Sequence, residues 1–374
     1  MSVFRDVKRV VIKVGTSSLT YENGNLNIGA FETLVRTVAD LSNLGIGVVL
    51  VSSGAIAAGM SRLGWEKRPK AIPLKQAAAA VGQPLLMHLY EKLFAEYGKT
   101  VAQILLTRED LAIRNRYVNA QNTFITLLNH DVIPIVNEND TVAVDELKFG
   151  DNDTLSAHVA SLCEADLLVI FSDVEGLYTA DPRVDKEATF ISKVHQITEE
   201  LWETAAGAGS RRGTGGMYTK LLAADIATKT GIGVVIAHSK EQIRLKEILQ
   251  GENIGTFFYP YEDCLKGKSR WVAFGACSSG TLVIDDGAKE ALLEQGKSLL
   301  ASGVVEVKGD FDKGDVVVIE DEAGEIIARG QSRFNALEVD KIKGLGSFDA
   351  SKVLNKDISV LIHRNDLVVL RRDD

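Results

Sequence analysis

The chain has 374 residues, of which 45% are hydrophobic and 25% are charged, a balance typical of a soluble globular protein of about two domains. Its net charge of −9 argues against a polyanion-binding protein, and its three cysteines are too few and too scattered for a disulfide framework or a zinc site. No apolar stretch approaches the roughly 18 residues of a membrane span, and the N-terminus has no signal-peptide core, so we expect a cytoplasmic protein without a membrane partner.

About the first 255 residues alternate short β-branched runs with amphipathic stretches. This pattern predicts an α/β fold with an open, mostly parallel sheet sandwiched by helices. The predicted strands are residues 9–14, 47–51, 101–106, 132–136, 167–171 and 234–237. The predicted helices are residues 31–44, 74–97, 119–129, 155–163 and 217–230.

A charged connector at residues 260–270 separates this part from a region with a different sequence pattern. Short apolar runs between Gly and Asp turns predict a small, mainly β, barrel-like C-terminal module. Its predicted strands are residues 281–284, 304–307, 316–319, 325–328 and 358–363, and its one predicted helix is residues 288–300. The predicted domains are therefore residues 1–258 and 279–374, joined by a linker at 259–278.

Small or polar residues follow four of the predicted strands of the first domain. They are residues 15–18, 52–55, 137–140 and 172–173. Ligands of such sheets bind beyond the carboxyl ends of the strands, and small residues allow the backbone to approach a phosphate closely. These strand ends therefore predict a ligand site.

Two acidic cassettes, residues 137–140 and 150–153, combine carboxamides with carboxylates. Such groups bind amines, metal ions or other polar ligands. Asn and Asp are also common in self-capping turns, so one cassette by itself would be interpreted as a turn. The polar strand ends around them favour a site instead.

Three Gly-Lys-Ser/Thr triplets resemble the end of a P-loop, but each lacks the glycine that a P-loop has five residues earlier. If the chain binds phosphates, it must do so with another structural feature. Lys13 lies inside an apolar strand, where an ammonium group is costly unless it meets a ligand or partner; an edge lysine that faces the surface is the alternative. The glycine-rich run 207–216 leads into the helix that begins at Met217, and Lys220 lies in its first turn. Together these features predict phosphoryl transfer, and an acceptor that is already an anion, such as a carboxylate, needs no general base.

Six motifs and the C-terminal module together resemble the glutamate 5-kinases of the amino acid kinase family, and the resemblance spans the whole chain. The C-terminal module looks like a PUA domain. The motifs are KVGTS at 13–17, VSSGAIAAG at 51–59, NEND at 137–140, GDND at 150–153, SDVEGLYTADPR at 172–183 and GTGGMYTK at 213–220. Any one motif would indicate only the wider amino acid kinase family.

The resemblance implies ATP-dependent phosphorylation of the γ-carboxylate of L-glutamate, with Mg²⁺, as the first step of proline biosynthesis. It implies that Lys13 and Lys220 stabilise the transferring phosphoryl group and that Asp153 holds both lysines. The residues implied for glutamate binding are Ser53, Asp140 and Asn152, with Asp140 pairing with the α-ammonium group.

The resemblance also implies an ATP site, with Tyr178 and Asp181 near the nucleoside. Ser172 stands where the family usually has threonine and keeps the hydroxyl group. The implied ATP-binding residues are Lys13, Ser172, Asp173, Tyr178, Asp181, Thr214, Gly215, Gly216, Met217, Tyr218, Thr219 and Lys220. No metal ligand is predicted.

Three further expectations concern partners. The resemblance implies feedback inhibition by proline at a site that overlaps the glutamate pocket, and symmetric homo-oligomers are usual. Residues 279–374 carry 13 Lys and Arg against 19 Asp and Glu, a balance of −6, so we expect no tight RNA binding although PUA-like modules occur in RNA enzymes.

The alternative activity is that of another amino acid kinase, acting on acetylglutamate, aspartate, carbamate or a nucleotide.

Overall fold

The computed structural model describes residues 7–21, 24–143, 152–182, 184–206, 216–261, 264–265, 267–276, 278–356 and 358–370. The chain divides into two compact units. The first is Met1–Leu111 with Asn115–Cys264, and the second is Ala112–Arg114 with Leu265–Asp374. Among the helices in the described ranges, none is both long enough and apolar enough to span a bilayer.

Ten strands are described in the first unit. They are β1 (Arg9–Val14), β2 (Gly47–Ser52), β3 (Val101–Leu106), β4 (Ile133–Glu138), β5 (Leu167–Ser172), β6 (Leu177–Tyr178), β7 (Phe190–Ile191), β8 (Lys193–Val194), β9 (Gly233–His238) and β10 (Thr256–Phe258). Eight of them form one sheet in the order β3-β4-β2-β1-β5-β9-β10-β8, and β6 pairs with β7 as a separate hairpin. Within the large sheet only the β9–β10 pair is antiparallel among the described pairs, which confirms the predicted mostly parallel sheet.

The apolar runs form strands because helices cover both faces of the sheet and exclude water from β-branched side chains. All six residues of β5 are buried, as are five of six in β1. The strand β4 extends to Glu138, so Asn137 and Glu138 lie inside the strand and not after it as predicted. The reason is that they continue the parallel pairing with Leu105 and Leu106 of β3.

Five of the ten helices described in the first unit were predicted, and they begin and end close to the predicted positions except at the start of α6; the other five were not predicted. The ten helices are α1 (Thr16–Leu19), α2 (Ile28–Asn43), α3 (Ala55–Leu63), α4 (Ile72–Ala95), α5 (Arg108–Ala112), α6 (Arg114–Asn129), α7 (Asn152–Leu162), α8 (Glu199–Ala206), α9 (Met217–Lys229) and α10 (Leu245–Leu249). The helix α6 starts at Arg114, earlier than the predicted residue 119. The helices α1, α3, α5, α8 and α10 were missed because each has nine residues or fewer, which gives a helical period little room to repeat.

Glycines allow α3 and α4 to pack backbone against backbone. A Cβ added at Gly59 would lie 1.8 Å from the carbonyl oxygen of Ala78, and one added at Gly82 would lie 1.8 Å from that of Ala55. Any larger residue at either position would push the helices apart. The contact fixes α4 relative to the residues that follow β2.

The second unit contains a five-stranded sheet in the order β12-β11-β13-β14-β15. Its elements are α11 (Lys268–Arg270), β11 (Ser278–Ile284), α12 (Asp286–Leu293), β12 (Val304–Gly309), β13 (Val316–Asp321), β14 (Ile326–Gln331), α13 (Ala336–Ile342), α14 (Ser347–Leu354) and β15 (Leu367–Val369). Its core includes Leu282, Ile319 and Val339, all fully buried. A mainly β C-terminal module is thereby confirmed.

Three predictions for this unit were wrong in detail. Residues 358–363 form no strand beyond a single bridge between Ile362 and Leu299. The apolar pattern there reflects buried side chains such as Ile358 and Leu361. The fifth strand of the sheet is β15 instead. The helix predicted to end at residue 300 ends at Leu293, before Gly296 with its positive φ of 57°. The helices α13 and α14 were missed, although Asn335 and Glu338 form a capping box that marks the start of α13.

Part of the stretch that was predicted as a linker is helical. The helix α11 continues into a π-helical turn, Trp271–Gly275, in which Trp271 and Val272 are buried. The residues at which the two domains begin and end therefore remain a prediction.

Candidate active site

Three charged side chains from distant parts of the sequence meet at the carboxyl end of β1. Lys13 comes from β1, Asp153 from the first turn of α7 and Lys220 from the first turn of α9. Lys13 Nζ forms an ion pair with Asp153 Oδ1, and Lys220 Nζ lies 3.2 Å from Asp153 Oδ2. Asp153 is fully buried, and each lysine is only 4% exposed. The structure thus brings together the three residues predicted to be catalytic.

The charges of this group determine its chemistry. Burial acts to raise the pKa of Asp153, but the charges and hydrogen bonds of Lys13 and Lys220 outweigh burial, so the pKa of this carboxyl lies below its usual value. Asp153 is therefore ionised. Taken by themselves, one carboxylate and two ammonium groups carry one net positive charge, and water is nearly excluded around them, which is suited to an anion.

The start of α9 lies beside these lysines. Gly216 is the N-cap of α9, and its carbonyl oxygen lies 3.5 Å from Lys220 Nζ. Thr219 Oγ1 lies 3.0 Å from Asp153 Oδ2, so the carboxylate contacts Thr219 as well as the two lysines. Tyr218 packs against Trp202 with a centroid separation of 5.4 Å. Since the first turn of a helix presents unpaired N–H groups, this end of α9 also favours an anion.

Two predicted ATP-binding residues and part of the second acidic cassette lie outside the described residues. Thr214 and Gly215, with the rest of the run 207–215, lie outside the described residues. Gly150 and Asp151 do so as well, so the second acidic cassette is described only from Asn152 onward.

A network of carboxamides lies next to the charged group, because Asn152 directly precedes Asp153. The Nδ2 atom of Asn152 lies 2.9 Å from Ser53 Oγ, 3.0 Å from Asn137 Oδ1 and 3.2 Å from the carbonyl oxygen of Ser52. Ser53 and Asn152, both predicted to bind glutamate, are therefore in direct contact. Asp140 lies in the turn after β4 and is half-buried.

The residues predicted for the nucleoside lie at the end of β5 and in the hairpin that follows. Ser172 Oγ donates a hydrogen bond to Asp173 Oδ1 at 2.9 Å. Tyr178 donates to Glu175 at 2.9 Å, a hydrogen bond that raises the pKa of Tyr178. The carbonyl oxygen of Asp181 accepts the N–H groups of residues 184 and 185 in an exposed turn. Because β1 and β5 are parallel neighbours, Ser172 lies beside the residue that follows Val14.

Three polar residues that support this site were not predicted. Gln83 Oε1 accepts a hydrogen bond from Asn137 Nδ2 at 2.9 Å, and the Tyr90 hydroxyl lies 2.8 Å from Ser52 Oγ. The Thr256 hydroxyl accepts from Leu177 N–H at 2.7 Å and donates to the carbonyl oxygen of residue 191 at 2.6 Å. Gln83 and Tyr90 are seven residues apart on α4, a spacing that places them on one helix face, but the sequence does not show what that face contacts.

The described residues of the site do not form a metal site from protein ligands alone. Across the described residues, no three His, Cys, Asp or Glu side chains cluster closely enough to bind a metal ion. Both oxygens of Asp153 are already engaged, one by Lys13 and the other by Lys220 and Thr219. Mg²⁺ in kinases is commonly bound through substrate phosphates with few protein ligands.

Comparison with known proteins places these residues in context. The model of the amino acid kinase family matches residues 8–238, and that of the PUA domain matches residues 280–354. A glutamate 5-kinase of Carboxydothermus hydrogenoformans is 52% identical over 370 residues, which cover 98% of this chain and 99% of that protein. A glutamate 5-kinase of Thermoanaerobacter pseudethanolicus is 51% identical, with coverage of 98% and 99%.

Solved structures give a more distant likeness. The UMP kinase from Bacillus anthracis is 17% identical, with a TM-score of 0.47, and the match covers 68% of this chain and 97% of that one.

Proposed function

The chain belongs to the amino acid kinase family, and on that premise we propose how its residues carry out the reaction of the glutamate 5-kinases that it matches over nearly its whole length. The enzyme transfers a phosphoryl group from ATP to the γ-carboxylate of L-glutamate and forms γ-glutamyl phosphate, in the first step of proline biosynthesis. It is a phosphotransferase with a carboxyl group as acceptor. The roles of individual residues below are proposals.

One observation carries the assignment of roles: Asn152 and Asp153 are consecutive, and each belongs to a different half of the site. Asp153 holds the two lysines, whereas Asn152 contacts Ser53 and Asn137. The phosphoryl group and its acceptor would therefore lie side by side at the start of α7. Such positioning is a large part of phosphoryl-transfer catalysis.

Lys13 and Lys220 would stabilise the charge that spreads over the oxygens of the transferring phosphoryl group. Their ammonium groups are held by one buried carboxylate, so they are already in place before transfer and little reorganisation is needed. Asp153 would act as the positioning residue for both. The γ-carboxylate of glutamate has a pKa of about 4.3, so it is ionised at neutral pH and attacks without a general base.

Ser53 and Asn152 would bind glutamate, with Asp140 pairing with its α-ammonium group. On the nucleotide side, Ser172, Asp173, Tyr178 and Asp181 would contact ATP. The remaining ATP-binding residues proposed are Lys13, Gly216, Met217, Tyr218, Thr219 and Lys220, with Thr214 and Gly215 in the part of the chain outside the described residues.

Mg²⁺ would accompany the phosphates of ATP and neutralise part of their charge. Since Asp153 is occupied by the lysines, we propose that this carboxylate is not a metal ligand.

A coupled assay of ADP release tests the substrate. We expect glutamate to give turnover, while acetylglutamate, aspartate, carbamate and UMP give no more ADP than buffer. Asp140→Ala should raise the KM for glutamate about tenfold or more, since it removes a charged partner, while the KM for ATP stays near wild type. ADP release with another acceptor but not with glutamate would overturn the assignment.

Regulation, assembly and location are also proposals. We propose that proline inhibits the enzyme by competing at the glutamate pocket, that the protein forms a homo-oligomer and that it works in the cytoplasm. Proline should then raise the apparent KM for glutamate in steady-state assays. Unchanged kinetics at millimolar proline would exclude the competition.

A further inference from the structure

We propose that Gln83 is a positioning residue for glutamate binding: it fixes the amide of Asn137 and, through it, the amide of Asn152. This inference rests on the proposed function, because it concerns the site in which Asn152 binds the acceptor. Gln83 belongs to α4 and to none of the motifs that follow strands, and its side chain is half-buried.

A backbone group shows which amide atom of Asn137 is the acceptor. The N–H of Glu138 can only donate, and it donates to Asn137 Oδ1 at 2.9 Å. The other amide atom of Asn137, Nδ2, must therefore be the donor, and it donates to Gln83 Oε1 at 2.9 Å. Gln83 supplies the acceptor that this orientation requires.

The orientation of the Asn152 amide follows in the same way. The carbonyl oxygen of Ser52 can only accept, and Asn152 Nδ2 lies 3.2 Å from it. The same Nδ2 lies 3.0 Å from Asn137 Oδ1 and 2.9 Å from Ser53 Oγ, so its N–H groups are committed to protein acceptors. In the described part of the chain, no hydrogen bond uses Asn152 Oδ1. This oxygen is thus presented as an acceptor, which suits a donor such as the α-ammonium group of an amino acid.

Burial makes the contribution of Gln83 large. Asn137 is 4% exposed, so loss of the Gln83 acceptor would leave its NH₂ group buried without a partner. Rotation of the Asn137 amide would not help, because Nδ2 would then face two donors, Glu138 N–H and Asn152 Nδ2. The buried NH₂ group could then regain a partner only if the Asn137 side chain moved, and this movement would break its contact with Asn152 Nδ2.

The helix packing holds Gln83 at its place. Its neighbour Gly82 contacts the carbonyl oxygen of Ala55 in α3, and α3 begins two residues after Ser53. Two turns further along α4, the fully buried Tyr90 contacts Ser52 Oγ at 2.8 Å. One face of α4 thus contacts both Asn137 and Ser52, two of the residues that accept from Asn152 Nδ2.

The test is steady-state kinetics of Gln83→Met, which keeps the length of the side chain and removes the acceptor. We expect the KM for glutamate to rise about tenfold, as for a lost hydrogen bond to a buried amide, with smaller changes in kcat and in the KM for ATP. Gln121→Met on α6, also a half-buried glutamine, is the matched control and should leave all three constants near wild type. Gln83→Asn, which keeps the amide but shortens its reach, should act in the same direction as Gln83→Met.

A double-mutant cycle with Asn137→Ala separates positioning from a general effect on folding. If Gln83 acts through Asn137, then Gln83→Met should change the KM for glutamate less than about twofold in the Asn137→Ala background. Multiplicative effects of the two substitutions would overturn the proposal, as would a wild-type KM for glutamate in Gln83→Met. A wild-type enzyme that does not phosphorylate glutamate would instead overturn the proposed function, and this inference with it. Thermal unfolding of each variant shows that the folded enzyme is being compared.

Discussion

Asp153 pairs with both of the lysines that are proposed to be catalytic. A fully buried carboxylate costs several kcal/mol unless it is paired, and here two ammonium groups pair with it. Removal of one lysine leaves the carboxylate with its other partner, whereas removal of the carboxylate leaves two buried cations facing each other. The first change should therefore affect transfer more than folding, and the second should affect both.

Lys220→Ala should lower kcat by about 10²-fold or more if, as proposed, its charge acts mainly in the transition state, and should leave the KM for glutamate closer to normal. The matched control is Lys229→Ala at the other end of α9, where the lysine pairs with Asp225 and is 38% exposed. Steady-state kinetics of both variants provides the measurement. Near-normal turnover of Lys220→Ala would show that the assigned role is wrong.

The paired state of Asp153 should also appear in the pH dependence of stability. Its folded pKa is lowered, so its stabilising contribution is complete above the usual carboxyl pKa of about 3.9 and is lost as the pH falls through the folded value. The difference in free energy of unfolding between wild type and Asp153→Asn should therefore shrink below about pH 4. Urea unfolding between pH 7 and pH 3 measures this difference, with the exposed Asp40→Asn on α2 as control. A difference that does not change with pH would contradict the ion-pair account.

The sequence revealed the charged residues of the site better than the neutral ones. Lys13 could be singled out because an ammonium group inside an apolar strand needs a partner. Gln83 and Tyr90 could not, because α4 is apolar on most of its faces and periodicity does not show which face carries a polar contact. Neutral amides become informative only when backbone donors and acceptors around them are known.

At the scale of elements, the long strands were predictable and the short strands were not. The six predicted strands of the first unit are present because uninterrupted β-branched runs suit a sheet that is covered on both faces. The strands β8 and β10 have only two and three residues, too few for a pattern to emerge. In the second unit, residues 358–363 were mistaken for a strand because their side chains are buried without strand pairing.

The backbone contact between α3 and α4 predicts that Gly82→Ala is strongly destabilising. Its Cβ would lie 1.8 Å from the carbonyl oxygen of Ala55, so the helices must separate, at a cost of about 1–3 kcal/mol or more. Gly29→Ala in α2 is the control, because a Cβ there meets only Asn27 Oδ1 at 3.7 Å, and it should be neutral or slightly stabilising. Thermal unfolding compares the two. Equal melting temperatures for both variants would show that the helices are less closely packed than described.

The hairpin of β6 and β7 depends on Thr256, whose buried hydroxyl joins the hairpin to β10. Gly176 leaves space for it, since a Cβ there would lie 2.5 Å from Thr256 Oγ1. Because Tyr178 is in this hairpin, Thr256→Val should raise the KM for ATP by about three- to tenfold and leave the KM for glutamate near wild type. Thr37→Val on α2, another buried threonine, is the control. An effect confined to the KM for glutamate would contradict the assignment of the hairpin to the nucleotide.

At the scale of the whole molecule, the charge balance of the second unit supports the prediction that the chain does not bind RNA tightly. Residues 279–374 have a balance of −6, and several of the basic side chains of the unit are already paired with carboxylates. Lys289 lies 2.7 Å from Asp321, Lys268 lies 2.8 Å from Asp366 and Lys356 contacts Glu338. These pairs reduce the positive surface that phosphates require.

Tight RNA binding by the full-length chain is therefore not expected. Affinity for nucleic acid rises as Lys and Arg neutralise phosphates, and it is greatest at low salt, so a gel shift with structured RNA in about 50 mM salt is the most permissive test. We expect no complex below micromolar protein, with a basic RNA-binding domain as the positive control. A sub-micromolar complex that weakens steeply as salt is raised would show instead that the second unit gathers enough unpaired basic side chains to bind RNA.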